Sequence, residues 1–362
     1  MLLYQIGITL IPGVGDIVGK KLIAYCGSVE AVFKEKKKLL LKIPGIGGHT
    51  VNSIINQNIL ERAEQEIKFI EKYKINTLFY LADKYPYRLK QCEDSPMLLF
   101  YKGNADLNSP KIISIVGTRK ASEYGKEICI SLIEGLIEQN ILIISGLAYG
   151  IDTCAHKTSL ENNLKTVGVL AHGLDMVYPQ LNKFLAEKMI KSGGLLTEFL
   201  SKTIPDRENF PKRNRIIAGL SDAVIIIESA VRGGALITAD IANSYNRDVF
   251  AVPGRLNDKY SKGCNNLIKT NRAALVQSAE DIKYIMGWEI TKKKPKKQQR
   301  LFIKLSPEEE TIVNILKEKQ ELGIDKIGSV SKLSASKVAS ALINLEFEGI
   351  IKCLPGKVYR MI

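Results

Sequence analysis

Three features of this 362-residue chain predict an α/β protein built on a mostly parallel sheet. Short β-branched runs recur from about 112 to 254, helical segments such as YGKEICISLIEGLIEQ separate most of them, and the runs are too apolar to face water. A strand buried on both faces needs helices on both sides, and parallel neighbours need crossovers long enough to hold one.

Residues 1–75 read as short helices divided by two similar punctuations, IPGVG (11–15) and IPGIG (43–47). This spacing suits a small helical domain of helix-hairpin-helix, SAM-like type. Each tight glycine turn frees amides that, with the next helix start, can accept a phosphate. Two plain helix connections are the simpler alternative, and the second unit, PGIGGHTVNSI, has no basic residue close in sequence.

Residues 76–290 carry the strand runs IISIVG (112–117), ILIIS (141–145), TVGVLA (166–171), GLLTEF (194–199), AVIIIE (223–228) and DVFAVPG (248–254). Strand and helix in alternation predict a doubly wound, Rossmann-like domain. Ligands of such sheets bind beyond the carboxyl ends of the strands. Residues 291–304, KKKPKKQQRLFIK in the main, form a cationic linker without an acid that cannot pack a core. Residues 305–362 open on the S-x-x-E cap of SPEEETIVNILKEKQ and close on the hairpin IIKCLPGKVYRMI, the order of a winged helix. Its candidate recognition helix, Ser336 to Phe347, has Lys337 as its only cation, so sequence-specific DNA reading is not expected.

A net charge of +14 favours polyanionic partners. Six scattered cysteines without a CxxC read as reduced thiols of a cytoplasmic protein, with no zinc site. No apolar run reaches the ~18 residues of a membrane span. The start, MLLYQIGITLIPGVG, lacks the basic region of a secretory signal. No metal or cofactor is expected.

Three strand-end loops concentrate the chemistry. IVGTRKASEYG sets Gly117, Thr118 and Arg119 before a helix start that can hold a phosphate, but it is neither a G-x-G-x-x-G nor a Walker loop. ISGLAYGIDTCAH follows Ser145 and Gly146 with Asp152 and His156 one helical turn apart. Without a nucleophile or metal spacing, a packed histidine is the simpler reading there, as for His172. ENFPKRNRIIAGLS opens a helix at Pro211. Its Arg213 shares a side with Ile216, Ile217 and Leu220 and so needs an anion, from a ligand or from Asp222, Glu208 or Asp206, whereas Arg215 points away. Phe210 is a core plug or a platform for a base. With Arg207 and Lys212 these residues predict a cationic mouth suited to tracking a single strand.

The strings IVGTRKASEYG, ISGLAYGIDTCAH, HGLDMVYP, FPKRNRIIAGLS, VRGGALITADIA, VFAVPG and SKGCNNLI resemble, in order and spacing, the DNA-processing protein A (DprA, also called Smf) family over about 78–285. The resemblance implies a homodimer that binds single-stranded DNA, loads the RecA recombinase onto it in natural transformation, and catalyses nothing. It implies DNA contact through Gly117, Thr118, Arg119, Arg207, Phe210, Arg213, Asn214 and Arg215, with Ser145, Gly146, Gly233 and Gly234 completing the rim, and Lys212 joins them from the cationic cluster itself as an exposed charge that adds field. The loop near Asn271 departs from the family pattern and adds Arg272 to the basic tally. A nucleotide phosphoribohydrolase of the same fold is the competing reading. It needs a Gly-Gly-x-Gly-Thr loop, which Ala235 to Asp240 breaks.

Overall fold

The computed structural model describes residues 1–55, 59–288, 305–354 and 356–361, and the cationic linker lies outside them. The chain divides into two compact units, 1–290 and 291–362.

In the first unit the strands are β1 (Asn76–Phe79), β2 (Leu98–Gly103), β3 (Ile112–Val116), β4 (Leu142–Ser145), β5 (Thr166–Val169), β6 (Gly193–Thr197), β7 (Ala223–Ile226), β8 (Asp248–Ala251) and β9 (Ala274–Leu275). They form one sheet in the order β1-β2-β6-β5-β4-β3-β7-β8-β9. The seven strands from β6 to β9 are parallel, while β2 is antiparallel to both β6 and β1. Each predicted run falls on a strand, because β-branched side chains pack well on both covered faces. Helices cover the two faces with separate apolar clusters, one around Ile216, Ile217 and Leu220, the other around Cys129, Leu132 and Ile133.

Helices Leu2–Leu10 and Asp16–Cys26 flank the first glycine turn, and Gly48–Ile55 follows the second. Gly13 and Gly45 both stand at φ +79, a left-handed value that favours glycine. These helices share one apolar cluster with Phe79, Leu98 and Phe100, so they close over the β1–β2 end of the sheet. Gly19 marks the contact: a Cβ there would lie 2.3 Å from the Met97 methyl carbon.

The second unit contains helices Pro307–Lys319, Ile324–Ser331 and Ala335–Phe347 and the strands β10 (Glu321–Gly323), β11 (Ile351–Leu354) and β12 (Val358–Met361), ordered β10-β12-β11. The expected cap is present, with Ser306 accepting from Glu309 N and Glu309 from Ser306 N. Strand β10 was not legible in the sequence. Lys337 pairs with Glu308 at 2.9 Å, so the one cation of the candidate recognition helix already has an acid. Among the described residues no helix is long and apolar enough to cross a membrane.

Candidate nucleic-acid interface

The sheet is laid down in two directions from β3, with β4 to β6 on one side and β7 to β9 on the other. Loops leaving the carboxyl ends of β3 and β7 therefore part, and a crevice opens between them. A cleft of about 330 Å³ occupies it. Its walls are Gly117, Thr118, Arg119 and Lys120 after β3, Phe210, Arg213 and Asn214 of the helix Asn209–Leu220, and Ser229, Gly233, Gly234 and Thr238 after β7.

Two helix starts border this crevice, and they are used differently. The helix Glu123–Gly135 was expected to offer its amides to a phosphate. Instead Glu228, at the end of β7, fills that position: its carboxylate accepts from Ser122 N at 2.9 Å and Ser122 Oγ at 2.5 Å. The side chain fits because residue 125 is glycine; a Cβ there would lie 2.4 Å from Glu228 Oε2. The protein's own anion thus answers the macrodipole of this helix. The helix Gly234–Ser244 has no side-chain cap, and its Gly234 and Ala235 line the cleft. A Cβ at Gly234 would meet nothing within 4 Å, so the approach to these amides is open.

The arginines divide in the same way. Arg213 is buried, donating from Nη1 to Val169 O at 2.5 Å and from Nε to Asn214 Oδ1 at 3.1 Å. Its anion is Asp152, none of the three acids near it in sequence; Asp222 instead holds Arg88 at 2.6 Å. Burial lowers the Arg213 pKa, Asp152 raises it, and Arg119 lowers it further. Burial also raises the Asp152 pKa, against the pull of Arg213. Gly146 makes the arrangement possible, since a Cβ there would sit 2.4 Å from both Arg213 Nη1 and Asp152 Oδ2. Arg119 is exposed and stacks its guanidinium 5.1 Å from the Phe210 ring centre, with Arg213 6.0 Å away. Phe210 is therefore a half-buried ring polarised by two cations, with part of its surface left to solvent.

The structure brings eight of the sequence-predicted residues together: Gly117, Thr118, Arg119, Phe210, Arg213, Asn214, Gly233 and Gly234. Five stand elsewhere. Ser145 and Gly146 are buried behind Arg213 rather than on the rim, with the Ser145 hydroxyl donating to Ile115 O at 2.6 Å. Arg207 and Lys212 are exposed but do not line the cleft. Arg215 faces away and binds two acids, Asp16 at 3.0 Å and Glu198 at closer range. Its charge is neutralised inside the fold, which removes it from the cationic mouth. Near Asn271, Arg272 pairs with Asp240.

Asp16 also accepts from Met97 N at 2.8 Å, so the helix that follows the first glycine turn directs its carboxylate inward. At the second hairpin Lys21 approaches Gly45, with its amine 3.3 Å from an added Cβ. That cation was invisible from the local sequence.

His156 is a packed residue. Its ring nitrogens bond Thr166 Oγ1 at 2.7 Å and Gly146 O at 2.6 Å, and burial pushes its pKa down to about 4. A neutral imidazole with both nitrogens engaged is not placed to act as a general base. Residues the sequence reading did not select include Lys120 in the cleft wall and Glu228 beneath it. The signal for Glu228 was an acid ending an otherwise apolar strand, close to a serine-capped helix.

A family model described as DNA recombination-mediator protein A matches residues 76–315, and a DprA winged helix domain model matches 295–357. The DNA processing protein DprA of Streptococcus pneumoniae is 43% identical over 212 residues, 59% of this chain and 74% of its own length. Protein Smf of Synechocystis is 31% identical over 393 aligned positions, covering 99% of this chain and 98% of its own. Among solved structures, DNA processing protein A from Streptococcus pneumoniae superposes with a TM-score of 0.69 at 34% identity, covering 78% of this chain and 98% of that one. DNA processing protein A from Helicobacter pylori, described in a single-stranded DNA binding mode, superposes with a TM-score of 0.54 at 28% identity, covering 59% and 95%.

Proposed function

The chain belongs to the DNA recombination-mediator protein A family, and from that premise we propose that it binds single-stranded DNA in the β3–β7 cleft. The observation that carries this reading is the cleft itself: exposed Arg119 and Lys120 beside a half-buried Phe210, facing the open amides of Gly234 and Ala235. Cations neutralise phosphates, uncapped amides accept their oxygens, and an aromatic face takes a base of any identity. Among the described residues the one acid in the cleft wall is Asp152, which is buried and compensated by Arg213.

The protein acts, in this reading, as a cytoplasmic homodimer that shelters an incoming strand and hands it to the RecA recombinase during transformation and recombination. It binds rather than catalyses. The phosphoribohydrolase reading is not favoured, because the Gly-Gly-x-Gly-Thr loop it needs after β7 is broken from Ala235 to Asp240. Gel-shift titrations on single- and double-stranded oligonucleotides, with and without recombinase, test the proposal. The expected result is a preference for single strands and faster recombinase filament growth on strands already covered. Equal affinity for duplex, or no shift with thymidine oligomers at low salt, would contradict it.

A further inference from the structure

The helices Glu123–Gly135 and Ile151–Glu161 pack against each other behind the cleft and bring together two of the six cysteines. Cys129 is buried in the cluster that holds Leu132, Ile133, Ile151 and Ala155, and the half-buried Cys154 packs on that cluster from outside. The Cys154 thiol lies across the turn leading to Cys129, with its sulfur 3.9 Å from Lys126 O. The single-strand reading uses neither thiol.

Their surroundings make the two thiols unlike. Hydrogen bonding to the Cys129 thiol lowers the Cys154 pKa to about 7, against burial and Glu161; the Thr158 hydroxyl and the Lys126 charge lower it further. Cys129 is pushed the other way by Cys154, by burial and by Asp152. One thiol is thus a partly exposed thiolate near neutral pH and its neighbour a sequestered, protonated one. That is the division of labour between an attacking cysteine and its resolving partner.

We propose that Cys154 and Cys129 are a redox-active pair, reduced at rest, which a hydroperoxide closes to a disulfide. The Cys154 thiolate attacks a peroxide oxygen: an S–O bond forms, the O–O bond breaks, and the departing alkoxide takes up a proton. The sulfur is oxidised by two electrons to a sulfenic acid, and the peroxide is reduced to an alcohol. The Cys129 sulfur then attacks Cys154; the S–S bond forms, the S–O bond breaks, and hydroxide leaves as water with the Cys129 proton. Two thiols and one hydroperoxide give one disulfide, one alcohol and one water. One turn before Cys154, Ile151 N donates to Thr118 O at 3.2 Å, so the bridge braces the loop that carries Arg119.

The test treats the reduced full chain with a stoichiometric amount of hydrogen peroxide, alkylates the remaining thiols and maps the peptides by mass. Tryptic peptide 127–157 contains both cysteines, and cleavage after Glu134 separates them. We expect this peptide to lose the mass of two hydrogens, to stay joined after that cleavage, and to recover with dithiothreitol. Cys129→Ala should stop at a sulfenic acid on Cys154, trapped by dimedone, and Cys154→Ala should leave Cys129 unoxidised. Peroxide consumption by the wild type should rise with pH through about 7, and in Cys129→Ala that midpoint should move up toward the ordinary thiol range. Thermal melts check that the variants fold, and the wild-type map decides the question without them. If peroxide leaves both thiols open to alkylation, joins either to another cysteine, or consumes Cys129→Ala with the wild-type pH profile, the assignment fails.

Discussion

Arg213 and Arg215 stand two residues apart on one helix and serve opposite sides of it. Arg213 turns toward the strand ends, where it braces Val169 and Asn214 and lends its field to Phe210. Arg215 turns toward the N-terminal helices and closes on Asp16 and Glu198. The first side is an open cleft and the second a sealed ionic cluster, although the residue type is the same. A guanidinium's role is set by what the tertiary fold places opposite it, and the 199-residue separation of Arg215 from Asp16 puts that beyond local sequence.

The largest effect that can break this contrast is on stability. Arg215→Ala should cost about 3 kcal/mol at pH 8, because it leaves Glu198 buried without its partner. Burial already pushes the Glu198 pKa up to about 7, so the folded protein holds that proton more tightly than the unfolded chain. The stability from this group is therefore complete below the ordinary carboxylate range and declines as pH rises toward 7. The loss in Arg215→Ala should shrink at pH 5, where Glu198 is neutral, and Glu198→Gln should flatten the wild-type decline. Melting curves at the two pH values check both. An equal loss at each pH would show that Glu198 is not the partner that matters.

On the open side, Phe210→Ala should weaken thymidine-oligomer binding by about 2 kcal/mol if the ring stacks on a base, with the melting temperature little changed. Unchanged affinity would assign the ring to packing alone. Arg119→Ala should cost about 1 kcal/mol near 0.1 M salt and make the slope of log affinity against log salt shallower by about 0.7, the share of one phosphate. A cost with no change of slope would move Arg119 from the phosphate to the ring. Lys212→Ala, an exposed cation outside the cleft, should change affinity by less than about 0.5 kcal/mol, a screened long-range effect.

Much of the fold was legible because buried parallel strands announce themselves as unbroken apolar runs, as in AVIIIE. The strands β1, β2, β9 and β10 were not, being short or antiparallel pieces whose pattern depends on partners distant in sequence. The glycines and cations of the cleft were also readable, since they cluster at strand ends. The use of each was less so. Gly146 had the form of a rim residue, but its missing Cβ makes room for the Arg213 and Asp152 side chains. The helix start after Arg119 had the form of a phosphate cradle, but Glu228, past the end of β7 and 106 residues beyond Ser122, takes that place. Helical projection separated Arg213 from Arg215 correctly, yet only the folded chain shows that one faces the cleft and the other an acid pair.

The most direct measurement is photocrosslinking of a thymidine oligomer carrying 5-iodouracil, with the adducts mapped by peptide mass. The account predicts crosslinks on the Phe210 ring and the loops around Arg119 and Tyr149, lost when Arg119 and Phe210 are both replaced by alanine. Crosslinks confined to the N-terminal helices or to 305–362, unchanged in that double variant, would contradict it.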